Sequence, residues 1–255
     1  MKLAMLLALA LAACKASGGS AGGGGGIDAG TADGASGLVL HGRVCLLRDP
    51  ADMGNSSACV PAAAGGLTVT LGTGASTTPG TRTTTTAADG SFTISAPMGA
   101  GFTWHVFGGS GANVILRSAM PFGTDNTIPV ITESDYATLQ GSNDVMVTDL
   151  QGSIFLRVVR GATPVAQVTA SSSPDTLGLA RYDPGRNPGG TINLVWNEDP
   201  VGTGARGVVW FAGVPLIGTV PTSTLVTLTQ QGARLATPTA IVEDQTITFV
   251  TVELP

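Results

Sequence analysis

Residues 88–97, "ADGSFTISAP", decide how this chain is read. Asp89-Gly90 is a turn dipeptide, because Gly tolerates the positive φ that tight hairpin turns demand. Phe92 and Ile94 then alternate with Ser91, Thr93 and Ser95, giving an extended segment with one apolar face. The flanks share this texture. "TRTTTTAA" (81–88) is β-branched and polar, as an exposed edge would be. "GGLTVTLG" (65–72) sets Leu67, Val69 and Leu71 against Thr68 and Thr70, and "GFTWHVFG" (101–108) sets Phe102, Trp104 and Val106 against Thr103, His105 and Phe107. With "GLVLHGRVCLL" (37–47), "ANVILRS" (112–118) and "TIPVI" (127–131), this predicts a seven-strand sandwich over 38–132.

A second series follows in similar order: "QGSIFLRVVR" (151–160), "PVAQVTASS" (164–172), "RGVVWFAGVPLIG" (206–218), "STLVTLTQ" (223–230) and "QTITFVTVEL" (245–254). "RGVVWFAGVP" stands where "DGSFTISAP" stood, so residues 152–255 read as a second sandwich, a divergent repeat of the first. The expected fold is therefore all-β, two tandem Greek-key sandwiches, with no long segment of helical period. A connector, 133–151, separates them and is expected to hold one helical turn at 134–139 capped by Ser134.

"GRV…GGLTVTLG…TTTTAADGSFTISAPMGAGFTWHV", within 42–107, resembles the carboxypeptidase regulatory-like domain, a transthyretin-like β-sandwich. The resemblance implies a fold and no activity. A metallocarboxypeptidase needs an H-x-x-E pair, whereas His41 is followed by Gly-Arg-Val and His105 by Val-Phe-Gly. The related intradiol dioxygenases hold iron with two Tyr and two His. Tyr136, Tyr182, His41 and His105 match that count, but the histidines precede the tyrosines and stand far apart. No catalytic residue, metal or cofactor is expected. His41 and His105 are expected to face solvent or a polar layer.

The amino terminus carries a different kind of information. "MKLAMLLALALAA" (1–13) has one cation and a short apolar run, too short to span a bilayer and suited to a signal peptide. Leu11-Ala12-Ala13-Cys14 resembles the lipobox of bacterial lipoproteins, which implies cleavage before Cys14 and its acylation. Two or more acyl chains hold a protein stably where one does not. Residues 14–37 then form the lipidated Cys and a Gly/Ala/Ser tether whose ends would lie about 25 Å apart as a coil. The expected partners are a membrane, reached through the lipid, and an unidentified protein or glycan. The expected address is a bacterial cell envelope, at the outer membrane, facing the periplasm or the surface.

Net charge is −5 with no basic patch, so nucleic acid is not expected as a partner. Cys45 and Cys59 are the even pair left in an exported chain and are expected to form a disulfide. The second series is interrupted by a long insertion, 173–206, with Arg181, Tyr182, Arg186 and Trp196. Exposed, Tyr182 and Trp196 would bind a sugar or peptide; "TINLVW" (191–196) reads equally as a strand that buries Trp196. Asp144 with Asp149, or Asp183 with Glu198 and Asp199, could offer oxygens to calcium, yet none has the dense D-x-D-x-D-G spacing of a specific site. Solvated turn carboxylates are the expectation. The function expected is that of a non-enzymatic adhesion, scaffold or interaction module, with glycan or small-ligand binding through 173–206 as the alternative.

Overall fold

The computed structural model describes residues 38–60, 64–73, 82–96, 102–123, 126–173, 178–187, 190–198 and 202–255. The signal segment, Cys14 and the tether lie outside these. The chain is all-β. The first half supplies seven strands: β1 (Leu38–Leu47), β2 (Thr68–Thr73), β3 (Arg82–Thr85), β4 (Ser91–Ala96), β5 (Phe102–Gly108), β6 (Ile115–Pro121) and β7 (Thr127–Ile131). They make two layers, β4-β1-β7 and β3-β2-β5-β6. Val44, Phe92, Ile94 and Ile128 from one layer interleave with Val69, Leu71, Trp104 and Val106 from the other. Phe92 meets Trp104 edge-on, with ring centroids 5.4 Å apart.

Gly42 and Gly90 are required by close approach. A Cβ on Gly42 would stand 2.3 Å from the Phe92 ring, and one on Gly90, at φ 82°, would stand 2.6 Å from the Val44 carbonyl oxygen. Asp89 holds the turn by accepting from the Ser91 amide at 3.0 Å and hydroxyl at 2.7 Å. These bonds keep its carboxyl below the ordinary value.

The second half contributes β8 (Gln151–Arg160), β9 (Thr163–Pro164), β10 (Thr169–Ser173), β11 (Ala180–Tyr182), β12 (Asn197–Glu198), β13 (Val208–Pro215), β14 (Thr222–Gln230), β15 (Ala233–Ala236), β16 (Thr239–Val242) and β17 (Thr246–Glu253). A small sheet, in which β14 pairs β10, β15 and β16, packs on the face of β11, β13, β8 and β17 that carries Ile154, Leu156, Val209, Phe211 and Val250.

Ser36–Pro255 gathers into one compact unit. One ten-stranded sheet runs β12-β11-β13-β8-β17-β6-β5-β2-β3, with β9 also paired to β8. The join is parallel on both sides of β17, with Thr246 opposite Arg117 of β6 and Phe249 opposite Phe155 of β8. A third core lies across this join. It takes Leu47 and Ile131 from the first half, Phe155, Trp210 and Phe249 from the second, and Tyr136 and Leu139 from helix α1 (Glu133–Ser142). Phe155 stacks on Trp210 and on Phe249, each at 5.6 Å. The helix is longer than the expected turn, and Thr132, not Ser134, caps it by accepting from the Asp135 amide.

Candidate functional site

The insertion residues proposed to meet a ligand are core residues. Tyr182 is fully buried, and its hydroxyl accepts from the Ala170 amide at 3.0 Å. Trp196 is 3% exposed, packed edge-on against Phe155 and Trp210. Neither can offer a ring to a sugar. Trp196 is buried without "TINLVW" forming a strand: Ile192 makes a single bridge to Arg186, and Asn197–Glu198 pairs with β11. The surrounding hydrogen bonds explain why: Asn143 clamps this stretch, its side chain accepting from the Trp196 amide at 2.8 Å and donating to the Leu194 carbonyl at 2.7 Å.

What the insertion builds is an ionic brace. Cys45 and Cys59 are disulfide-bonded, with Cα atoms 4.9 Å apart, and the loop they close carries Asp49 and Asp52. Both carboxylates are buried and face the second half. Arg206 Nη1 donates to Asp49 Oδ2 and, at 3.4 Å, to Asp52 Oδ1, while its Nε reaches Asp183 Oδ1 at 3.4 Å. Arg186 donates to Asp52 from outside. Asp183 also accepts from the amides of Gly204 and Val208. Burial pulls the Arg206 guanidinium down, but the Asp49 bond and the charges of Asp49, Asp183 and Asp52 outweigh it and hold the group above its ordinary value.

Of the carboxylates considered for calcium, Asp183 is held in the brace, Glu198 pairs with Arg181 at 3.0 Å and Asp149 accepts from Gln245 Nε2 at 2.6 Å. Asp199 lies outside the described residues. Among the described residues no group of three His, Cys, Asp or Glu is arranged to hold a metal. His41 is exposed and bonds Thr93. His105 sits in a polar layer, as one of its two readings had it: it is 1% exposed, with Nε2 at 2.8 Å from Glu243 Oε1. His105 Nδ1, Glu243 Oε2 and the hydroxyl of Thr70 opposite are buried without partners.

Open space is found at the join. A cavity of about 350 Å³ lies between α1 and the starts of β8 and β17. Leu116, Val147 and Ile247 give it apolar walls, and Glu133, Gln140 and Gln245 add a carboxylate and two amides. Tyr136 and Ser153 form its floor and hydrogen-bond each other. Burial pushes the Tyr136 phenol up to about 12, with the Ser153 bond opposing. A second groove shares Leu116, Glu133 and Gln245 with the cavity and adds Arg117 and Asp244. Arg117 Nε is buried there without a hydrogen-bond partner. Apolar walls with a few converging polar groups suit recognition of one polar or charged side chain. In sequence these residues are scattered over four segments with no motif between them, and only their burial and convergence single them out.

No protein-family model matches the chain, and no curated protein matches it. Among solved structures, the crystal structure of the shaft pilin SpaA from Lactobacillus rhamnosus GG is similar to 85% of this chain over 98% of its own length, at 12% identity and a TM-score of 0.23. Among the described residues no helix is long and apolar enough to cross a membrane.

Proposed function

We propose that the chain is a bacterial envelope lipoprotein, acylated at Cys14, whose β-unit acts by binding, as an adhesion, scaffold or protein-interaction module. The observation that carries this reading is the order of the amino-terminal features: an apolar run, Leu11-Ala12-Ala13-Cys14, and a Gly-rich segment leading directly to a folded unit that begins at β1. The Cys45–Cys59 disulfide supports an oxidising, exported setting. The seven strands of 38–131, layered three against four, support kinship with the carboxypeptidase regulatory-like domain. The proposed address is the outer membrane, facing the periplasm or the surface. Glycan binding through Tyr182 and Trp196 is set aside, because both rings are occupied by the core.

The test is metabolic labelling with a palmitate analogue in cells making the full chain. The native protein should take up label and sediment with membranes. Cys14→Ser should do neither, and equal labelling of that variant would remove the anchor.

A further inference from the structure

Three segments meet beside the junction cavity: 144–150, the 213–220 turn and the 243–245 corner. Their backbones are tied together. The Leu150 amide donates to Asp244 Oδ1 at 2.7 Å, the Leu216 amide to the Leu150 carbonyl at 2.9 Å, and Gln245 Nε2 to Asp149 Oδ1 at 2.6 Å. The Gln245 amide donates to the Gln151 carbonyl, fixing the corner to β8. This platform is thereby held, yet it presents apolar side chains to solvent. Met146 is 77% exposed, Ile217 73%, Val220 63% and Leu150 46%.

The same platform holds three of the five described non-glycine residues with left-handed backbone, Asp144 at φ 50°, Leu150 at 61° and Gln245 at 47°. Aspartate visits that region readily, but leucine does so against a steric penalty that glycine lacks. Leu150 is kept there because both its amide and its carbonyl are hydrogen-bonded. A glycine would satisfy the same backbone bonds without the penalty. Strained backbone persisting under a half-exposed leucine points to a use for the side chain outside the folded chain. An exposed apolar cluster with polar surroundings is the usual mark of a docking surface.

The surroundings say what docks. Asp144, Asp149 and Asp244 border the apolar residues and are exposed. Glu133 lies beyond them in the cavity that Val147 and Gln245 also line. Two cations stand nearby: Arg117, in the groove it shares with Asp244 and Glu133, and Arg181, which reaches the Asn143 carbonyl beside Asp144 at 3.4 Å and pairs with Glu198. We infer that Met146, Leu150, Ile217 and Val220 form a docking site for a polypeptide whose apolar side chains are flanked by Lys or Arg, with one such cationic side chain entering the cavity. Its stem would lie on Val147 and Ile247 and its head would meet Glu133, an arrangement long cationic side chains favour. The acidic border attracts that partner and repels an acidic one. The inference rests on the reading of the chain as a binding module and is independent of the lipid on Cys14.

The test uses the full chain in detergent and two synthetic peptides, one alternating Leu with Lys and one alternating Leu with Glu. The Leu/Lys peptide should bind about tenfold more tightly or better, and the margin should shrink as salt rises. Leu150→Gly should weaken that binding severalfold while its melting temperature stays equal or rises, and Met146→Asn should weaken it with an unchanged melting temperature. Equal binding of both peptides, or binding of neither, overturns the inference. So does a Leu150→Gly chain that melts lower, since the side chain would then be serving the fold. A self-association in sedimentation that Ile217→Asn abolishes would assign the surface to a second copy. Hydrogen-exchange protection of 144–150 by phosphatidylglycerol vesicles alone would assign it to lipid; either result overturns the basic partner. Failure of any of these leaves the palmitate result untouched, so the two readings fall separately.

Discussion

Arg206 donates to Asp49 across 157 positions of sequence, joining the insertion of the second half to the disulfide loop of the first. Asp49 is 2% exposed and Asp183, the second partner of Arg206, is fully buried. Removing the cation strands two buried carboxylates, and loss of one member of a buried charge set costs about 3–5 kcal/mol. Arg206→Met should therefore lower unfolding stability by that order in urea titration. Arg206→Lys should recover only part of it, because an ammonium cannot fork between Asp49 and Asp183.

The disulfide and the brace act on one loop. Replacing Cys45 and Cys59 together with Ala should cost about 3 kcal/mol, from the loop-closure entropy of a segment this length. Combined with Arg206→Met, the loss should be smaller than the sum, since a freed loop no longer holds Asp49 and Asp52 against the second half. Strict additivity in the triple variant would refute that coupling.

Tyr136 gives the fold an alkaline limit. An unfolded phenol loses its proton near pH 10, whereas burial holds the folded one until about 12. Between those values the unfolded state has shed a proton that the folded state retains, so stability falls as pH rises; below pH 10 this contribution is flat. The full window corresponds to about 3 kcal/mol. Tyr136→Phe should remove that part of the slope, as read by denaturation at stepped pH and by phenolate absorbance.

Trp196→Ala tests the reassignment of the insertion. A ring packed against Phe155 and Trp210 should cost about 3–5 kcal/mol on truncation. The change should appear in the melting temperature, with ligand binding at the platform altered only as far as the fold is.

Gly90→Ala should destabilise by more than about 1 kcal/mol, through both the left-handed φ and the contact with the Val44 carbonyl. Gly66, at φ 75° with open space around its Cβ position, isolates the backbone part of that effect when changed in the same way.

The first seven strands were legible because each is written locally: alternation gives the face, and Asp89-Gly90 gives the turn. The five long strands of the second series were legible for the same reason, and β8 matches "QGSIFLRVVR" at both ends. The union of the halves was not. It depends on β17 lying parallel between β6 and β8, with Thr246 opposite Arg117 and Ile247 opposite Ser153, long-range pairings of which alternation carries no trace. Whether Tyr182 and Trp196 are exposed or buried stayed open in the sequence because two aromatics in a polar, Gly- and Pro-rich stretch have no period to reveal which side is covered. His105 looked half-solvated because it alternates with Trp104 and Val106, yet the corner at Glu243 covers the face opposite theirs. The junction cavity had no signal at all, being assembled from α1, β6, β8 and β17 only after the sheet closes.

The position of β17 also sets an order of events. Its partners, β6 and β8, are made long before it, and each then has a bare parallel edge with nothing to fill it. The first sandwich can gather early, but the middle of the long sheet stays an open slot until the last of the seventeen described strands arrives. A chain stalled before residue 246 would present two sticky edges facing one another across that slot. Such a chain invites strand exchange with a neighbour, so late truncation should yield entangled multimers sooner than a smaller soluble domain.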